Sequence, residues 1–143
     1  MSLLLFLLGI FIANVLEYSV HKYLFHGLGK KRNSIFSFHL REHHLKVRRN
    51  NFIDVKVSAK EWIGIPFLLL IFSPVLLIGV PVFFGLISYA VAFILLHNLQ
   101  HAHPKVAKKY FWWHWNHHMK NQNKSWAVVL PIMDILTGTL EKP

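Results

Sequence analysis

Apolar residues run along this chain in long blocks. The first, Leu3 to Phe25, keeps its polar members at its C-terminal end; at 1.5 Å per residue it reaches roughly 34 Å, enough to cross the hydrocarbon core of a bilayer. The second, Trp62 to Leu96, is 35 residues long, roughly 53 Å as one helix and too long for a single crossing of about 30 Å. Pro74, Gly79 and Pro81 lie near its middle, so the pattern predicts a tight turn between two helices, 62–77 and 81–97. The first basic residue, Lys22, follows the first apolar block. A secretory signal would carry its positive charge ahead of that block, so the segment is expected to remain as a membrane helix with its N-terminus outside.

Charge adds the orientation. Sixteen Lys and Arg against six Asp and Glu give a formal net charge of +10, and every basic residue falls between Lys22 and Lys60 or from Lys105 onward. A helical hairpin puts both blocks on one side, the cytoplasmic one by the positive-inside rule. The expected fold is therefore all-α: one domain over residues 1–143, an integral membrane helical bundle of about three transmembrane helices, two of them a hairpin, with a small histidine-rich cap on the cytosolic side. Lys30-Lys31-Arg32 and Arg48-Arg49 suit anionic headgroups, and the charge requires no nucleic acid. The chain has no cysteine, which excludes disulfides, thiolate metal sites, Fe–S clusters and cysteine nucleophiles.

Eleven histidines then stand out. They form four groups: His21 and His26; His39, His43 and His44; His97 and His101 with His103; and His114, His117 and His118. On the topology above all four groups lie at one face of the membrane, which points to a shared ligand, and neutral imidazole is the commonest metal ligand. His97 and His101 are i,i+4, and His114, His117 and His118 are i,i+3,i+4, spacings that put ligands on one helical face. The pairs His21/His26 and His39/His44 are five apart, about 140° around an α-helix, so they address two different metals or require a helix to end between them. His103 is the expected bystander.

Acids are few: Glu17, Glu42, Asp54, Glu61, Asp134 and Glu141. Carboxylate-bridged di-iron chemistry is therefore not expected. Glu17 is an ionisable group inside an apolar helix, four residues before His21, and is read as a hydrogen-bond acceptor that fixes the tautomer of that imidazole. Asn14 and Tyr18 share its helical face. Phe11, Tyr23, Phe93, Phe111, Trp112, Trp113 and Trp115 are candidate walls of an apolar cavity or interfacial anchors.

Taken together, His21-x4-His26, His39-x3-His43-His44, His97-x3-His101 and His114-Trp115-Asn116-His117-His118, followed by Asp134-Ile135-Leu136-Thr137-Gly138-Thr139, resemble the histidine boxes of the membrane fatty acid hydroxylase and sterol desaturase superfamily. The resemblance covers most of the chain. It implies two iron ions, with zinc possible as isolated, held by His21, His26, His39, His43, His44, His97, His101, His114, His117 and His118, and O2-dependent hydroxylation of a membrane lipid. That lipid would be a fatty acyl chain, a sphingoid base, a sterol or a carotenoid. The second box has three residues before its His-His pair where fatty acid 2-hydroxylases have two, and no cytochrome b5 domain precedes the membrane part. Electrons are accordingly expected from a separate redox protein.

Two other readings compete. His39-Leu40-Arg41-Glu42-His43 matches the His-x-x-Glu-His zinc protease pattern, in which two histidines bind zinc and the glutamate is the general base. A membrane metal carrier or metal-stabilised scaffold would need imidazoles but no oxidation chemistry.

Overall fold

The structure, a computed structural model, describes residues 2–54 and 69–142. Among them are helices and no strand. Helix α1 (Ser2–Ser19) runs without a break into a π-helix, Val20–Gly27, and a 3-10 turn, Leu28–Lys30. A second π-helix, His39–His44, leads into α2 (Leu45–Arg49). Helix α3 (Val80–Ala102) is followed by α4 (Pro104–Tyr110), α5 (Trp112–Met119) and α6 (Ile132–Thr137).

Two continuous helical stretches, Ser2–Lys30 and Val80–Ala102, are long and apolar enough to cross a membrane. Leu3 and Leu4 are 68% and 73% exposed, as expected where hydrocarbon rather than water covers them. Of the predicted first arm of the hairpin, 62–77, residues 62–68 lie outside the described residues. Its end is helical at residues 69–72 and becomes a 3-10 turn over Ser73–Leu77, with Pro74 in its first positions. Pro81 sits in the first turn of α3, where a missing N–H loses no helical bond. The second arm thus starts one residue ahead of the predicted 81 and runs five past 97, so that one helix carries both His97 and His101.

Helices α1 and α3 pack closely because each offers a glycine at the crossing. A Cβ on Gly9 would fall inside the Val82 carbonyl oxygen and 3.0 Å from the Gly85 Cα, and one on Gly85 would fall inside the Phe6 carbonyl oxygen. Small residues at a crossing let backbones approach, and in an apolar solvent that packing is what holds helices together. Ala13, Leu86, Tyr89 and Val129 form the core beyond this contact, and Val47, Phe52 and Ala107 form a second core against which Trp115 and Met119 pack. Helix α6 ends at Gly138, which is left-handed (φ 68°). That turn returns the Thr139 N–H to the Asp134 carbonyl oxygen at 2.9 Å, the usual glycine-terminated helix end.

Candidate metal centre

The five-residue histidine spacings are resolved by local helix geometry. Both His21/His26 and His39/His44 lie in π-helical turns, whose hydrogen bonds reach i→i+5 rather than i→i+4. A wider turn brings residues five apart onto one face. The pairs therefore do not address two metals, as one α-helical reading of the spacing allowed: His21, His26, His39, His44 and His117 converge on one point. Their Nε2 atoms stand 2.9 Å apart for His21 and His39, 3.2 Å for His39 and His44, 3.2 Å for His26 and His44, and 3.1 Å for His26 and His117.

A second group holds His43, His97, His101 and His118. His114 lies at its edge, with its Nε2 3.0 Å from that of His118. The two groups share a wall, since the His44 and His118 ring centroids are 4.2 Å apart. Neighbours in sequence are divided between them, His43 from His44 and His117 from His118, because successive residues on a helix point in different directions. The ten imidazoles proposed from the sequence are thus brought together. His103, at the α3–α4 junction, belongs to neither group.

Two loops and Gln100 of α3 fix the ring orientations from behind. The Nδ1 atoms of His21, His117 and His101 donate to the carbonyl oxygens of Trp126, Lys124 (2.7 Å) and Phe52 (2.9 Å). His114 Nδ1 donates to Gln100 Oε1 at 2.6 Å, and His43 Nδ1 to Asp54 Oδ2 at 3.0 Å. Carbonyl and carboxylate oxygens can only accept, so Nδ1 carries the proton in each of these rings. In a neutral imidazole the Nε2 is then a bare lone pair.

Left-handed backbone aims two of these loops. Phe52 (φ 78°) and Ser125 (φ 56°) adopt a conformation that L-residues rarely take, and such strain concentrates at functional sites. Phe52 is held there by full burial and by its ring, stacked 4.5 Å from that of His101.

Residues 126–129 present four successive amides to two carboxylates. Asp134 accepts the Trp126 and Ala127 N–H groups at 2.9 and 2.8 Å, and Glu17 accepts those of Val128 and Val129 at 2.7 and 3.3 Å. The hydrogen bond expected from His21 to Glu17 is not formed. Glu17 is occupied by these amides and by the Tyr89 hydroxyl, and acts on His21 only through the loop whose Trp126 carbonyl receives it. Asn14 closes the same network, donating to Tyr89 Oη (2.6 Å) and to the Leu130 carbonyl oxygen (2.7 Å).

The donor set fits metal ions. Nitrogens about 2.1 Å from one ion stand about 3.0 Å apart at right angles and about 3.4 Å apart in a tetrahedron, close to the 2.9–3.2 Å observed between Nε2 atoms of the first group. His21 and His117, whose Nδ1 atoms carry the proton, turn Nε2 lone pairs toward the centre of the group, the form in which an imidazole binds a cation. In the second group the buried Nε2 atoms of His43 and His101 have no hydrogen-bond partner among the described residues.

Burial first, and then the charge of neighbouring imidazoles, pushes His39, His44, His114, His117 and His118 well below the ordinary histidine range. These rings are neutral at pH 7, the form in which an imidazole can bind a metal. The unfolded chain takes up protons near pH 6.5 while these folded rings do not, so stability of the metal-free protein should fall as pH drops below about 6.5. Thermal melts of chelator-stripped protein are expected to give a lower Tm at pH 5.5 than at pH 7.5; equal values would contradict the buried-neutral assignment.

The protease reading fails on geometry. His39 and His43 point into different groups, and Glu42 is exposed. Of the aromatics proposed as cavity walls, Phe93 stacks on His97 with centroids 5.5 Å apart and Trp115 packs on Phe52 at 4.5 Å. Phe11 and Tyr23 are exposed away from the histidines, Phe11 lining an apolar groove with Leu4, Leu5, Leu7 and Leu8. Asp54, Gln100, Phe52 and Trp126 carry roles that box spacing alone does not reveal.

A fatty acid hydroxylase family model matches residues 6–139, a span that includes every histidine of both groups. No curated protein and no solved structure matches the chain.

Proposed function

Because the chain belongs to the fatty acid hydroxylase family, we propose that it is an oxidoreductase that hydroxylates a membrane lipid, using iron at both histidine groups and O2 as co-substrate. The observation that carries this reading is the pair of all-imidazole groups sharing a wall at the ends of two helices long enough to cross a bilayer. Iron held there would supply the O2-dependent oxidising power that an unactivated C–H bond demands and that side chains lack. The first group engages through His21, His26, His39, His44 and His117, the second through His43, His97, His101 and His118 with His114. The loops at residues 52–54 and 124–130 hold the rings so that their lone pairs face inward. Phe93, Phe52 and Trp126 pack against the rings and keep water from them. Electrons come from a separate redox protein.

Both candidate spans end on histidines, so on this reading the site lies at headgroup depth. A lipid lying normally in its leaflet presents there the first carbons of an acyl chain or sphingoid base, or the polar end ring of a sterol or carotenoid. The test is lipid mass spectrometry of cells expressing the wild type or a His118→Ala variant under 18O2. A lipid carrying one additional labelled oxygen, in the wild type only, is the expected result. Identical lipid profiles would overturn the reading, and metal binding without any oxidised lipid would favour a metal carrier instead.

On this reading the histidines lie on the cytoplasmic side and the N-terminus outside, as the positive-inside rule expects of basic residues flanking the spans. A cysteine introduced at Gly79 should react with an impermeant reagent added from outside, and one at Lys124 should not. The reverse pattern would refute this orientation.

A further inference from the structure

The two histidine groups differ in what stands behind their rings. In the five-histidine group, His21 and His117 donate to neutral peptide carbonyls, and the Nδ1 atoms of His26 and His44 are buried without a partner among the described residues. In the other group His101 also meets a carbonyl, but His43 donates to the carboxylate of Asp54. The carboxylate is 14% exposed and is paired on its other oxygen with Lys46. Of the described ring contacts, this is the single direct bond between a histidine of either group and an acid. On the inner side, the buried His43 Nε2 has no hydrogen-bond partner among the described residues, and its ring lies 4.8 Å from those of His101 and His118 and 5.1 Å from that of His97.

A carboxylate behind a metal-bound imidazole fixes the ring and raises its basicity, and removing one typically costs tenfold to a hundredfold in metal affinity. We propose that Asp54 is the positioning residue of the second metal site, and that through His43 it makes the His43–His97–His101–His118 group the anion-supported site of the pair while leaving the five-histidine group untouched. Asp54 touches neither ion nor substrate. It acts from the same short loop as Phe52, whose carbonyl holds His101, so residues 52–54 set two of the four ligands of this group. The proposal rests on the reading of the histidines as metal sites and not on lipid oxidation.

The test uses the full chain in detergent, stripped and then titrated anaerobically with iron(II) or with zinc alone, with metal per chain and dissociation constants as readouts. Wild type is expected to hold two ions. Asp54→Asn should keep one at wild-type affinity and bind the other ten- to a hundredfold more weakly, Asp54→Glu should restore it, and the metal-free Tm should be unchanged. His43→Ala should weaken the same ion, and the double variant should add no further loss. Two ions at unchanged affinity in Asp54→Asn, equal weakening of both, or a collapsed metal-free Tm would overturn the proposal while leaving the lipid-oxidation reading intact. A wild type that binds no metal would overturn the metal-centre reading together with it.

Discussion

Replacing His117 by alanine is expected to abolish lipid oxidation, with a loss of at least about 100-fold, and to remove the ion of the five-histidine group. The expectation follows from position. His117 is fully buried, its Nδ1 bonded to the Lys124 carbonyl oxygen and its Nε2 3.1 Å from that of His26, and it is the one member of its group contributed by α5. The other four come from the two π-helices. Without His117 the group loses its one imidazole from the C-terminal half of the chain, and a pair of ions acting together loses function when either is lost. Elemental analysis alongside the lipid assay checks this: the variant should hold one ion per chain against two in the wild type. Two ions and near-normal activity would show that His117 is not a ligand.

The largest effect on stability is expected at Asp134. Its carboxylate is fully buried and accepts the Trp126 and Ala127 amides and the Thr139 hydroxyl (2.7 Å). Truncation to alanine leaves two buried amides without partners, each costing about 1–3 kcal/mol, so Asp134→Ala should lose roughly 3 kcal/mol or more. For a chain of this size that corresponds to a Tm about 10 °C lower. Asp134→Asn keeps one acceptor oxygen and should fall between. Metal affinity should drop with Asp134→Ala as well, because the peptide that offers its Ala127 N–H to Asp134 offers its Trp126 carbonyl to His21. A full-strength site in a stable Asp134→Ala variant would refute this coupling.

Much of the site was legible in the sequence because metal ligation restricts residue type. Four histidine groups and an absence of cysteine leave few chemistries, and the ten imidazoles named from the sequence are the ones that converge. Two other features were not legible. The π-helical turns are one: apolar periodicity assumes 3.6 residues per turn, and neither Val20–Gly27 nor His39–His44 carries a proline or glycine pair to announce a change of pitch. The loop partners are the other. Glu17 was recognisable as a costly buried acid, but its partners are amides more than a hundred residues away, and backbone groups carry no residue-specific signal. The break at Pro74 to Pro81 was legible because proline and glycine act locally.

The long reach of the Trp126 carbonyl has a consequence in time. His21 and the residue that orients it are 105 positions apart, and at a synthesis rate of about 5–20 residues per second the first histidines wait several seconds or more for their acceptors to be made. By then the first helix, already apolar enough to enter a bilayer, has long been made. The acceptor that orients His21 is thus among the last parts of the histidine cluster to be synthesised, and the five-histidine group is complete only after residues 117–126 have emerged.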